Sequence, residues 1–213
     1  MPTEETSRPL PPRIAVLISG RGSNLRSIIE AVAAGRLHAT IAVVVSNNAN
    51  APGLTHARAA GIEAVHLDPK DYGGRDRYDR AIAHLLLARG VRLVCLAGFM
   101  RLVGAPLLDA FPNRIINIHP SLLPAFPGLD AQRQALEHGV RVSGATVHLV
   151  TADLDGGPIV LQAAVPVLDD DTVETLSARI LTEEHKLYPE AIRLVLEDGW
   201  RLDGRRFVRR GQQ

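Results

Sequence analysis

From Ile14 onward, short runs of β-branched and aliphatic residues alternate with segments of helical period, and this alternation restricts the fold more than any other feature of the chain. Ile14–Ser19, Ile41–Ser46, Ala64–Leu67, Val91–Ala97 and Arg114–Ile118 read as strands. Between them, Ser23–Ala34 reads as a helix with Leu25, Ile28, Ile29 and Val32 on one stripe. Gly53–Ala60 and Arg75–Arg89 read as helices that stop at Gly61 and Gly90, and Ala105–Ala110 supplies one or two further turns. Strands that alternate with helices imply β-α-β crossovers, hence parallel strands in a sheet covered on both faces. The expected fold is therefore α/β, a single Rossmann-like domain with a mostly parallel sheet.

The pattern changes after Pro120. Leu129–His138 looks helical and closes at Gly139, whereas Ala145–Val150 and Ile159–Val165 are strands joined by a short turn through Asp155-Gly156-Gly157-Pro158. That spacing predicts an antiparallel C-terminal extension of the sheet. A long helix follows, with Asp171 and Glu174 spaced as a capping box and Leu176, Ile180, Leu187, Ile192 and Leu196 on its buried side. The acidic run Asp169–Asp171 thus reads as a helix start rather than a metal site. Residues 1–12 are polar, with four prolines and no apolar stretch, and read as a flexible leader rather than a secretory signal. Residues 13–200 form the expected domain. Residues 201–213, with Arg205, Arg206, Arg209 and Arg210, read as a basic tail, solvated or folded as an edge hairpin; with Phe207 as the only aromatic they make a poor RNA-binding arm.

The formal net charge of +1 supplies no field for nucleic acid or an acidic membrane, and no run reaches the ~18 apolar residues of a membrane span. The single cysteine, Cys95, excludes an internal disulfide; it fits a reducing, cytoplasmic compartment and reads as a buried, inert thiol. His38, His56, His66, His84, His138, His148 and His185 show no ligand spacing, and there is no H-E-x-x-H or C-x-x-C, so no metal is expected. The absence of G-x-S-x-G argues against a serine-hydrolase elbow.

Three segments carry candidate chemistry. Ser19-Gly20-Arg21-Gly22-Ser23-Asn24 follows a strand and opens a helix, where backbone N–H groups and the helix dipole meet an anion. A dinucleotide fingerprint would place glycine at Leu25, and there is no G-x-x-x-x-G-K-[ST], so a simple phosphomonoester is favoured over NAD or ATP. The plain alternative is a tight turn capped by Ser23 or Asn24. In Asn117-Ile118-His119-Pro120, the first and third residues share a strand face at the strand's C-terminal end, and together could stabilise an oxyanion and move a proton. Here the alternative is a structural histidine. Asp155, in a glycine-rich turn, either serves that turn or folds over His119 to orient it.

Taken together, IAVLISGRGSN (14–24), LAGFMRL (96–102), NIHPSLLP (117–124), PGL (127–129) and LDGGP (154–158) resemble the phosphoribosylglycinamide formyltransferase family of the formyltransferase superfamily, in order, over nearly the whole chain. The resemblance implies that Asn117, His119 and Asp155 are the catalytic trio. It implies that Gly22, Ser23, Asn24 and Glu184 bind phosphoribosylglycinamide, and that Arg75, Met100, Arg101, Leu102 and Val103, with Asn117, Thr151 and Asp155, bind the folate. Thr151–Asp155 would form the loop that moves over it. The co-substrate would be 10-formyltetrahydrofolate, with small-molecule substrates only, no metal, and a monomer or weak homodimer. Asp130 departs from the pattern, since similar proteins often carry histidine after PGL. Two relatives sharing the trio, formyltetrahydrofolate deformylase and methionyl-tRNA formyltransferase, carry an extra N-terminal or C-terminal domain, for which 213 residues leave little room. The rival readings are a hydrolytic deformylase and a nucleotide-binding module without catalysis.

Overall fold

The computed structural model describes residues 10–197 and 199–209; most of the leader, and Arg210 with the last three residues, lie outside that range. Among the described residues a nine-stranded sheet runs in the order β3-β2-β1-β4-β5-β6-β7-β9-β8. Its strands are β1 Arg13–Ile18, β2 Thr40–Ser46, β3 Ala64–His66, β4 Leu93–Leu96, β5 Ile115–His119, β6 Val142–Leu149, β7 Ile159–Pro166, β8 Trp200–Asp203 and β9 Arg206–Arg209. The helices are α1 Ser23–Ala33, α2 Pro52–Ala59, α3 Arg75–Leu87, α4 Ala105–Ala110, α5 Ala131–Glu137 and α6 Val173–Leu196. Strands β1–β5 are mutually parallel, and β6 and β7 are antiparallel, as the alternation and its break at Pro120 predict.

Each central strand is apolar on both sides and feeds two cores. Val16, Ile18, Cys95 and Ile116 pack with α1, α2 and α6, while Ala15, Leu17, Val94 and Ile115 pack with α3 and α4. The chain leaves β1 for β2 on one side and reaches β4 on the other, so the strand order reverses between β1 and β4. Open α/β sheets bind ligands at the carboxyl ends flanking such a reversal. The loops there are tied together: Ser19 N–H donates to Gly98 O at 3.0 Å, and Met100 N–H donates to Ser19 Oγ at 2.8 Å.

Several expectations are corrected. The α6 cap is Thr172, whose hydroxyl accepts from Thr175 N–H while Thr175 Oγ1 accepts from Thr172 N–H. Asp171 instead accepts from Leu168 N–H, the Thr175 hydroxyl and Arg179, so its carboxylate is engaged away from the helix amides and the expected Asp171–Glu174 box does not form. Helix α5 starts two residues later than Leu129, because Asp130 sits at φ 55°. The β6–β7 connection is longer than the short turn expected, spanning 150–158. Of the two readings of the basic end, the described part takes the hairpin form: Trp200 stacks on Phe207 at 4.7 Å, and Arg114 lies 5.5 Å from the Trp200 ring centroid. Among the described residues no helix is long and apolar enough to cross a membrane.

Candidate active site

Helix α1 begins directly after Gly22, which is left-handed at φ 76°. A Cβ at Gly22 would stand 2.7 Å from Gly53 Cα, so the turn demands glycine both for its dihedral and for its packing. Among the described residues no side chain caps α1, which sets aside the capping role considered for Ser23 or Asn24. The first-turn N–H groups of a helix have no partner within it, and the first residues of α1, Ser23 and Asn24, line a concavity with Ser19–Gly22, Gly98 and Met100.

The Asn24 side chain is held by α6. Its Nδ2 donates to Glu184 Oε2 at 2.8 Å, joining α1 to α6 across 160 residues. Glu184 is 6 % exposed, and Asn24 Oδ1 is buried without a hydrogen-bond partner among the described residues. Burial pushes the Glu184 carboxyl up, against a smaller downward pull from the Asn24 amide. An acid raised in the fold lowers stability once the unfolded chain ionises, from about pH 4.3, and the loss stops growing above the folded value. Glu184→Gln is therefore expected to match the parent in acid and to become the more stable protein as pH rises to neutrality. Thermal melts across that interval measure the gap, and a gap independent of pH would contradict the assignment.

Strand β5 ends at His119, and its period places Asn117 and His119 on one face, as expected. Antiparallel pairing with β6 sets His148 opposite Asn117 and Thr146 opposite His119. His148 is the residue that sequence reasoning missed. Its Nδ1 lies 2.9 Å from Leu149 O, and its Nε2 lies 3.2 Å from Asn117 Nδ2. The Asn117 amide is thereby oriented, with one N–H left for another acceptor.

The 150–158 loop brings Asp155 onto this pair. Gly157 rests on β6, where a Cβ would stand 1.8 Å from Leu149 O, and Leu149 N–H donates to Pro158 O at 2.8 Å. Asp155, left-handed at φ 49°, places Oδ2 3.5 Å from His119 Nδ1 and Oδ1 3.6 Å from His148 Nε2, and Oδ2 accepts from Gly128 N–H at 2.8 Å. Burial pushes its carboxyl up, but His148, the Gly128 amide and His119 together outweigh that and hold it below the usual aspartate range. The other nitrogen of His119, Nε2, lies 2.8 Å from Phe126 O. Both ring nitrogens thus face acceptors. The structure brings Asn117, His119 and Asp155 together, with His148 as a fourth member.

Three cavities meet here. One of about 260 Å³ is lined by Arg75, Phe99, Arg101–Gly104, Asn117, His148 and Val150–Asp155. It shares Asn117, Leu154 and Asp155 with a cavity of about 690 Å³ that also contains His119 and Gly128–Asp130. That cavity in turn shares Arg21, Gly98 and Met100 with the concavity at α1. Of the folate residues expected, Arg75, Arg101, Leu102, Val103, Asn117, Thr151 and Asp155 line the first cavity, whereas Met100 lies on the side of the α1 loop. Asp130 stands on the rim of the middle cavity. Among the described residues no group of three His, Cys, Asp or Glu side chains could hold a metal ion.

A family model described as formyl transferase matches residues 12–192. Phosphoribosylglycinamide formyltransferase of Escherichia coli (strain K12) is 45% identical over 192 residues, which cover 90% of this chain and 88% of that protein. The trifunctional purine biosynthetic protein adenosine-3 of Gallus gallus is 47% identical over 183 residues, 86% of this chain; the chain spans only 18% of that longer relative. The crystal structure of glycinamide ribonucleotide transformylase 1 from Symbiobacterium toebii matches with a TM-score of 0.93 at 60% identity, covering 95% of this chain and 96% of that one. With a family model over most of the chain and relatives and solved structures that align along nearly all of it, the chain belongs to the formyl transferase family.

Proposed function

We propose that the protein transfers the formyl group of 10-formyltetrahydrofolate to the amine of glycinamide ribonucleotide, a step of de novo purine biosynthesis. The observation that carries this reading is the continuity of the cleft. An uncapped helix N-terminus suited to a phosphate opens into the cavity of Asn117, His119 and Asp155, and that opens into a cavity suited to the folate.

In such a cleft the two substrates meet without a covalent enzyme intermediate. The substrate amine attacks the formyl carbon, a C–N bond forms, and the formyl oxygen takes the negative charge. The free Asn117 N–H and the His119 Nε2–H donate to that oxygen. His119 exchanges its bond to Phe126 O for the oxyanion when substrate arrives, while Asp155 keeps hold of Nδ1. Collapse of the intermediate breaks the bond to the folate nitrogen, which gains a proton as the amine nitrogen loses one; Asp155 or an ordered water relays it.

Absorbance measurements with 10-formyltetrahydrofolate, with and without glycinamide ribonucleotide, test the proposal. Tetrahydrofolate is expected only when both are present. Equal turnover without the amine would make the protein a deformylase, and no turnover in either case would make it a binding module.

The phosphate is expected to sit on the Ser23 and Asn24 amides. A substrate lacking the phosphate should bind about tenfold to a hundredfold more weakly by calorimetry, since charge-assisted hydrogen bonds are lost. Equal affinity for both forms would move the phosphate elsewhere.

A further inference from the structure

The segment Phe99–Gly104, which follows β4, supplies much of the wall of the cavity assigned to folate, yet it has no regular structure. Phe99 is buried in the core and Val103 packs against it, while Leu102 is exposed. Among the described residues two of its amides are hydrogen-bonded. Met100 N–H donates to Ser19 Oγ at 2.8 Å, and Gly104 N–H donates to Asp79 Oδ2 at 2.6 Å. The segment is thus a span fixed at one end to the α1 loop and at the other to helix α3.

We infer that Asp79 is a positioning residue for the folate cavity: by holding the Gly104 amide from beneath, its carboxylate sets the path of Arg101, Leu102 and Val103. The inference rests on the assignment of that cavity to folate in the proposed function. Asp79 is 2 % exposed and does not line the cavity, so any effect on ligand passes through the groups it holds. A carboxylate is costly to bury unless it is partnered. Burial pushes its carboxyl up, and the Gly104 amide, Arg75 and Arg101 draw it back towards the charged form.

The neighbouring residue completes the arrangement. Tyr78 is fully buried, and the Arg101 guanidinium lies 5.1 Å from its ring centroid. Consecutive residues of α3 therefore hold the middle and the far end of the span. Gly104 also begins α4, whose Ala105 and Leu108 continue the cavity wall, so the Asp79 bond fixes that wall too. The fit at this point is tight. A Cβ on Gly104 would stand 2.9 Å from Asp79 Oδ2 and 3.5 Å from Arg75 Nε.

Steady-state kinetics with both substrates varied provide the test. Asp79→Ala is expected to raise KM for 10-formyltetrahydrofolate about tenfold to a hundredfold, the range for losing a hydrogen bond to a charged group, with KM for glycinamide ribonucleotide nearly unchanged. Asp79→Asn, whose carboxamide oxygen still accepts from Gly104, should recover most of that loss. Gly104→Ala should raise the folate KM with Asp79 in place and add little to Asp79→Ala, because the obstructing oxygen is then gone. Val103→Trp, which fills the cavity itself, separates the two readings. If Val103→Trp leaves the folate KM unchanged, the cavity assignment fails and the inference with it. If Val103→Trp raises the folate KM while Asp79→Asn, Asp79→Ala and Gly104→Ala behave as the parent, or if Asp79→Ala raises both KM values together, the positioning role is overturned and the cavity assignment stands.

Discussion

The His119→Ala enzyme is expected to keep its fold and to turn over about a hundredfold to a thousandfold more slowly, a rise of about 2.7–4 kcal/mol in the barrier for one lost oxyanion donor. The fold should persist because His119 ends a strand rather than filling a core: its ring nitrogens are spent on Phe126 O and Asp155. Stripping Phe126 O of its donor leaves a part-buried acceptor to water, at a stability cost of about 1 kcal/mol. Circular dichroism and melting curves measure that cost separately from kcat. Asn117→Ala should behave alike, and the double variant should fall short of additivity, because both donors serve one oxygen. Folded His119→Ala protein with kcat near that of the parent would remove the proposed mechanism while leaving the cleft and its phosphate end intact.

The second large effect is expected at Asp155. Asparagine tolerates the left-handed backbone at φ 49° about as well as aspartate, so Asp155→Asn changes charge with little change of shape. Turnover should fall about 10²–10⁴-fold, the range for losing a positioned proton-transfer partner, with small changes in either KM. Stability carries a second signature. The folded-state carboxyl is held low, so its contribution is present above the ordinary aspartate pKa of about 3.9 and fades as pH falls through the lower folded value. The parent should therefore exceed Asp155→Asn in stability at neutral pH, with the difference closing in acid. A kcat within a few-fold of the parent would reduce Asp155 to a loop anchor for Gly128.

What sequence reasoning reached follows from the range of the interactions involved. The strand-end placement of Asn117 and His119 was legible because it needs only the two-residue period of a strand and a proline to stop it. The loop before α1 was legible for the same local reason. His148 was not, because its place opposite Asn117 is a property of the pairing between β5 and β6. Glu184 entered through resemblance alone; its partner Asn24 lies 160 residues away, and no local pattern predicts a buried carboxyl on an amphipathic helix. The cap of α6 was misread because Asp171, Thr172 and Glu174 all offer acceptors there, and the local pattern could not rank them. Asp79 escaped notice as one more acid in the charged first turns of α3; its burial and its bond to Gly104 appear only once α3 has docked beneath the β4 loop.

The Asn117–His148 pairing also bears on how members of such a family can differ in length. Side chains alternate across a strand, so a single residue inserted or deleted in β6 between Thr146 and His148 would turn the imidazole to the opposite side of the sheet and bring a valine to the cleft. The segment between β5 and β6 carries no such parity constraint, since its length does not alter which residues of the two strands oppose one another. Length variation among functional homologues should therefore accumulate in residues 138–141, beyond the Phe126 and Gly128 contacts of the site, and avoid 146–148.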